Sequence, residues 1–257
     1  MNQQERRQYL LQVLLSEDAA YQHTALPDSE TEQKRLLRGL MNVRRPKPID
    51  QAFLQVQDAY LQEETAAKGI VDVQTLTPVQ EGIYLWQGDI TTLRCDAIVN
   101  AANSGMTGCY VPNHGCIDNC IHFYSGVQLR LACAELMQAQ GYAEPTGQAK
   151  ITPAYNLPCR YVLHTVGPIV SGSVTAQHRA QLASCYTACL ELAAEHGLES
   201  VAFCCISTGE FHFPNAQAAE IAVQTVKSFL QKKTSVRKVI FNVFKDYDRD
   251  IYQQLLQ

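Results

Sequence analysis

Long apolar runs are missing from this sequence. Nothing in its 257 residues approaches the roughly 20 consecutive apolar positions that a membrane helix needs. The N-terminal stretch MNQQERRQYLLQ has no signal-peptide apolar core either. The expectation is a cytoplasmic protein with no membrane partner. Basic charge is also scarce: 21 Lys and Arg face 25 Asp and Glu, a formal charge of −4. That removes the electrostatic footing for a nucleic-acid partner, so an anionic ligand must be held locally, by backbone amides and helix ends. Internal repeats and low-complexity tracts are absent. Cysteine, by contrast, is plentiful, with ten residues. Without a secretion signal, and at this chain length, no disulfide framework is expected. Cys204 and Cys205 within SVAFCCI, and Cys185 and Cys189 one helical turn apart, read as small buried hydrophobes.

Residues 1–75 show no strand-like alternation. Helices are predicted over 5–15 and 32–41, a break at Arg45-Pro-Lys-Pro48, and a third helix over 50–67 with Asp50 as N-cap. From about residue 76 the texture becomes alternating strands and helices. Strands are predicted at 83–86, 97–100, 147–152, 161–166, 201–206 and 238–244. Helices are predicted over 118–140, 177–196 (ended by Gly197), 215–232 and 246–256. This alternation argues a three-layer α/β/α domain around a mixed, largely parallel sheet, preceded by a small helical segment. Residues 100–122, NAANSGMTGCYVPNHGCIDNCIH, join a strand to a helix and concentrate the polar chemistry of the chain. In open α/β sheets the ligand crevice lies between such a strand end and helix start.

Several residues in these loops admit two readings. Cys109-x4-His114-x-Cys116 offers two thiolates and an imidazole within a short loop, a donor set that suits zinc with an open fourth position; the spacing alone also allows incidental loop cysteines near a surface histidine. Cys120 and His122 are weaker ligand candidates that belong to the following helix. Asp89 and Asp118 each suit a helix N-cap, and Asn100 and Asn103 suit a turn at a strand end. Ser207-Thr-Gly-Glu-Phe211 joins a strand to a helix; its amides can cradle a diphosphate without lysine, though Ser-Thr-Gly also makes ordinary turns. Phe244, at the end of the last strand, suits either stacking on a base or the core.

Gly88-Asp-Ile-Thr91, Ala97-Ile-Val-Asn-Ala-Ala-Asn103 and Ile206-Ser-Thr-Gly-Glu-Phe-His-Phe-Pro214 resemble the three signature segments of the macrodomain family, in family order. The resemblance spans about residues 76–257, leaving 1–75 as a helical extension. Where MacroD-type hydrolases carry a run of glycines before Val-Asp-Gly, this chain has Gly108-Cys-Tyr-Val-Pro-Asn-His-Gly-Cys-Ile-Asp-Asn119. That variant is similar to the zinc-containing macrodomains. The resemblance implies ADP-ribose binding and removal of mono-ADP-ribose from protein side chains, Asp or Glu esters first. It implies one zinc ion per chain on Cys109, His114 and Cys116, and water positioned by Asp118 with Asn103 at the distal ribose. It further implies adenine recognition by Asp89 and Ile90, loop support by Asn100, and a pyrophosphate and distal-ribose loop of Ser207, Thr208, Gly209, Glu210 and Phe211, with Phe244 beside the adenine. Implied partners are a mono-ADP-ribosylated carrier protein and a sirtuin-class ADP-ribosyltransferase. A reader that binds ADP-ribose without cleaving it, and a zinc hydrolase of a free ADP-ribose derivative, are the rival readings. A zinc deaminase is disfavoured, because no His-x-Glu with Pro-Cys-x-x-Cys is present.

Overall fold

Asn2, Ser29 and Asp50 open the first three helices, each accepting a hydrogen bond from the backbone N–H three residues on. In the computed structural model, which describes residues 1–21 and 23–257, these are α1 (Gln3–Ser16), α2 (Glu30–Val43) and α3 (Gln51–Ala67). Asp50 thus caps α3 as its position predicts, at 2.7 Å from Phe53 N. Leu10, Leu37, Phe53, Tyr60 and Leu61 are buried among one another in a core of their own, which Phe123 and Val127 join from the following domain.

The rest of the chain alternates. It runs β1 (Val71–Asp72), β2 (Ile83–Gln87), β3 (Leu93–Arg94), β4 (Ala97–Ala101), α4 (Ile117–Ser125), α5 (Val127–Gln140), β5 (Ala149–Pro153) and β6 (Tyr161–Thr165). Then come α6 (Ala176–Glu195), β7 (Ser200–Phe203), α7 (Asn215–Leu230), β8 (Lys238–Val243) and α8 (Asp246–Leu255). Six strands form one sheet in the order β2-β8-β7-β4-β6-β5, and every pairing in it is parallel except β5 with β6. β1 and β3 pair separately. β7 is buried at every residue, which requires cover on both faces of the sheet. The mixed, largely parallel α/β architecture read from the sequence is the one observed.

The short strands β1 and β3 have no counterpart in the sequence reading, and the strand expected over 201–206 ends at Phe203. One helix also differs. The pattern over 118–140 predicts a single helix, but Gly126, at φ +97°, ends α4 and starts α5. A Cβ at Gly126 would lie 2.6 Å from the side chains of Gln128 and Gln57, and positive φ there suits glycine alone. α5 has no N-cap side chain of its own; Gln57 of α3 supplies the acceptor, with its Oε1 2.9 Å from Val127 N. The helical segment therefore completes a helix of the sheet domain.

Because β2, β8, β7 and β4 are adjacent and parallel, their carboxyl ends share one edge. Asp89 follows β2, Phe244 follows β8, Ser207–Phe211 follow β7, and the 102–116 loop follows β4. All the candidate residues outside the strands and helices thus converge on that edge, with Asn100 at the end of β4 and Asp118 in the first turn of α4.

Candidate active site

Asp118 is the centre of a buried polar network. Asn100, fully buried in β4, donates from Nδ2 to Asp118 Oδ1 at 2.8 Å. Asn103 donates from Nδ2 to Asp118 Oδ2 and to Gly108 O, both at 3.2 Å, and accepts from Gly105 N at 2.9 Å. A carboxylate only accepts, so both amides must present nitrogen to it, and Asn100 Nδ2 then also faces His164 Nδ1 at 3.2 Å. That leaves the His164 proton on Nε2, 2.9 Å from Thr152 Oγ1. Burial pushes the Asp118 carboxyl up to about 6, against the opposing pull of Asn100, Arg130 and Asn103. Burial likewise keeps His164 neutral, its pKa lowered to about 3. Asp118 does not cap α4, the simplest alternative for it; Cys116 occupies the N-cap, its Sγ accepting from Asn119 N at 3.4 Å.

Beside this network the loop after β4 folds back on itself and gathers Cys109, His114 and Cys116, whose ligand atoms all lie within 4.8 Å of one another. Cys109 Sγ is 3.7 Å from His114 Nδ1. Tetrahedral zinc bonded to sulfur and imidazole nitrogen separates those two atoms by roughly 3.5 Å, so the donor set and its spacing fit the ion. His114 Nε2 points the other way, 3.5 Å from Glu210 Oε1 on the loop after β7. Burial raises the Cys116 thiol to about 12, with Cys109 adding to the effect. The weaker candidates part company. Cys120 Sγ sits 3.4 Å from Arg38 Nη2, while His122 joins Cys133 and His164 in a second, wholly buried group.

The loop after β7 is strained. Ser207 takes φ +64° and His212 φ +56°, and Ser207 Oγ is buried with no hydrogen-bond partner among the described residues. Thr208 Oγ1 donates back to Cys205 O at 3.0 Å. A Cβ at Gly209 would meet nothing within 4 Å, so the backbone there is open to a ligand. Glu210 reaches toward His114, and Phe211 packs with Ala102, Met106 and Val166 in a small cluster of its own.

At the far end of the edge, Asp89 opens the short turn Ile90–Thr92, with Oδ1 accepting from Thr91 N at 3.0 Å and Thr91 Oγ1 at 2.6 Å. The capping reading therefore holds, and the other carboxylate oxygen, Oδ2, accepts from Lys68 Nζ at 2.7 Å. Ile90 is buried. Phe244 is 74% exposed, which rules out the core role that its apolar strand had equally suggested.

Four contributors carry no signal in the sequence. Lys68, just past α3, bonds Asp89 Oδ2 at 2.7 Å while its Nζ lies 3.3 Å from the centre of the Tyr124 ring. Arg130 stacks on Tyr110 and donates to Asn42 O, Arg44 O and Cys109 O. Arg38 and Asn42 of α2 touch the 109–119 loop.

The Macro domain family model matches residues 99–222. The chain is 56% identical, over 260 aligned positions covering all of both chains, to a protein of Treponema medium named protein-ADP-ribose hydrolase. It is 42% identical, over 94% of its own length and 44% of the other's, to a Fusarium oxysporum f. sp. cubense protein named probable bifunctional ADP-ribose hydrolase/ADP-ribosyltransferase. Among solved structures it is similar to a Trypanosoma brucei macrodomain in complex with ADP-ribose, at TM-score 0.65 and 29% identity over 90% of this chain and 97% of that one. By sequence and by fold, this chain belongs to the macrodomain family.

Proposed function

We propose that this chain binds ADP-ribose along the carboxyl edge of its sheet and hydrolyses the bond between C1″ of the distal ribose and a modified protein side chain. The observation that carries this reading is the Asp118 carboxylate, fixed by Asn100 and Asn103, at the foot of a loop that brings together Cys109, His114 and Cys116. The 56% identity, along the whole of both chains, to a protein named protein-ADP-ribose hydrolase supports it. In this reading Asp89 accepts from the adenine amino group beside the Ile90 amide, and exposed Phe244 stacks on the base. The amides of 207–211 cradle the diphosphate, with the open backbone at Gly209 in closest approach. Asn103 meets the distal ribose hydroxyls. Asp118 orients a water toward C1″. The water oxygen bonds to C1″ as the C1″–oxygen bond to the side chain breaks, the leaving electron pair stays on the side-chain carboxylate, and the proton lost by the water is released to solvent. An Asp or Glu ester is the favoured bond, because a carboxylate leaves without acid assistance.

Cys109, His114 and Cys116 would hold one zinc ion per chain. Bound there, zinc supplies polarisation of an oxygen or a bound water of lowered pKa. The substrate is a mono-ADP-ribosylated carrier protein, and the modifying partner is a sirtuin-class ADP-ribosyltransferase. The Fusarium relative, whose name joins hydrolase and transferase, supports such a pairing. We place the boundary between helical extension and macrodomain near residue 75, and the protein in the cytoplasm; no described helix is long and apolar enough to cross a membrane. The test is release of ADP-ribose from a protein modified on acidic residues. Wild type should release it, and Asp118→Asn should bind ADP-ribose and release little. Binding by wild type with no release would make the chain a reader.

A further inference from the structure

The second helix of the N-terminal segment turns three residues toward the loop that carries the candidate metal ligands. Arg38 Nη2 donates to His114 O and to Asn119 Oδ1, both at 2.9 Å, and Arg38 Nε reaches the same Asn119 oxygen at 3.3 Å. Asn119, fully buried, spends its amide nitrogen on Val111 O at 3.0 Å. One turn further along α2, Asn42 Oδ1 accepts from Asn113 N at 2.9 Å. Gly39 lies between them, where an added Cβ would sit 3.2 Å from Asn113 Nδ2. The backbone of 111–114 is therefore gripped at Val111, Asn113 and His114. Asn113 itself sits at φ +57°, a conformation that persists in a non-glycine residue only when its surroundings impose it.

We infer that Arg38 is a positioning residue for the metal loop, holding His114 so that its imidazole faces Cys109 and Cys116. This rests on the zinc reading proposed above. Between β4 and α4 the chain runs from Ala102 to Cys116 without regular structure, a length at which such loops are uncommon in compact domains, and the α2 contacts supply hydrogen bonds from outside that fix its path. Arginine suits the task because its planar fork engages two acceptors at once, the His114 carbonyl and the Asn119 amide oxygen; lysine offers a point charge instead. The helical extension is on this account part of the site.

The experiment compares zinc-loaded wild type, Arg38→Lys, Arg38→Ala and Arg6→Ala. The last breaks the Arg6–Glu63 pair, which lies wholly within the helical segment. Zinc content is measured by mass spectrometry and zinc loss as the rate of transfer to a chromogenic chelator, with thermal unfolding recorded for each protein. Residues that orient metal ligands typically alter affinity 10–100-fold. Arg38→Ala should accordingly lose zinc about tenfold to a hundredfold faster than wild type, and Arg38→Lys should fall between the two. Arg6→Ala should match wild type. If Arg38→Ala does not fold, Arg38→Lys decides. Wild-type retention in both Arg38 variants would overturn the inference while leaving the zinc reading intact. Equal acceleration in Arg6→Ala would overturn it too, by showing that general loosening of the helices sets retention. A wild-type protein that takes up no zinc would bring down the zinc reading and the inference together.

Discussion

Lys68→Ala should raise the pKa of Asp89 and so move the acid loss of adenine recognition to higher pH, although Lys68 belongs to the helical extension. Burial alone would lift the Asp89 carboxyl, but hydrogen bonds from Lys68 and Thr91 and the Lys68 charge hold it below the usual carboxylate value. A carboxylate whose folded pKa is depressed stabilises the protein above its unfolded pKa, and that stabilisation fades as pH falls through the folded value. Without Lys68, burial is opposed by Thr91 alone, so the fading begins at higher pH. The magnitude follows from exposure. The Lys68 and Asp89 side chains are 29% and 36% exposed, and ion pairs at such sites are worth about 0.2–1 kcal/mol after solvent screening. Loss of an interaction of that size moves the Asp89 midpoint upward in Lys68→Ala. Titration of the Asp89 carboxyl by NMR in wild type and Lys68→Ala measures this directly. Calorimetry with ADP-ribose at falling pH then reads the consequence: affinity fades at higher pH in Lys68→Ala than in wild type, with no such difference for ribose 5-phosphate, which has no base. An identical Asp89 midpoint in the two proteins would mean that Lys68 does not hold the carboxylate charged.

Two further perturbations probe the same edge. A Cβ at Gly167 would lie 2.0 Å from Ser207 Oγ and 2.8 Å from Ile206 Cγ2. Gly167→Ala should therefore displace the loop after β7, destabilise the fold by about 1–3 kcal/mol as overpacking does, and weaken ADP-ribose binding; denaturant unfolding and calorimetry read the two effects. Phe244→Ala should leave stability nearly unchanged, since the ring is already exposed, and cost the base its stacking partner. Stacking of a base on an aromatic ring is worth about 1–3 kcal/mol, so the Kd for ADP-ribose should rise by roughly fivefold or more, and a wild-type Kd would remove Phe244 from the site.

Much of this was readable from residue order because it is local. Strand and helix periods, the Asp50 cap and the positive φ of Gly197 depend on neighbours a few residues away. The gathering of Cys109, His114 and Cys116 was legible for the same reason, as one loop carries all three. The break at Gly126 was not, because a single glycine costs a helical pattern only about 1 kcal/mol and the apolar period continues through it. Phe244 follows a buried strand and reads equally as core or as a stacking ring; only the strand's end at Val243 puts its side chain in solvent. Arg38 and Lys68 meet their partners 76 and 21 positions away, and nothing in their own surroundings marks them among the other cations of amphipathic helices. Contacts of that range belong to the tertiary fold.

The loop after β4 is proposed above as a metal-bearing hydrolytic site. Its most direct test is release of ADP-ribose from a protein mono-ADP-ribosylated on acidic residues, by native and zinc-stripped protein, with ADP-ribose affinity measured in parallel. The native form should release ADP-ribose, the stripped form should release little, and both should bind it. Equal release by the two forms would take the metal out of the reaction, and binding with no release by either would leave a reader.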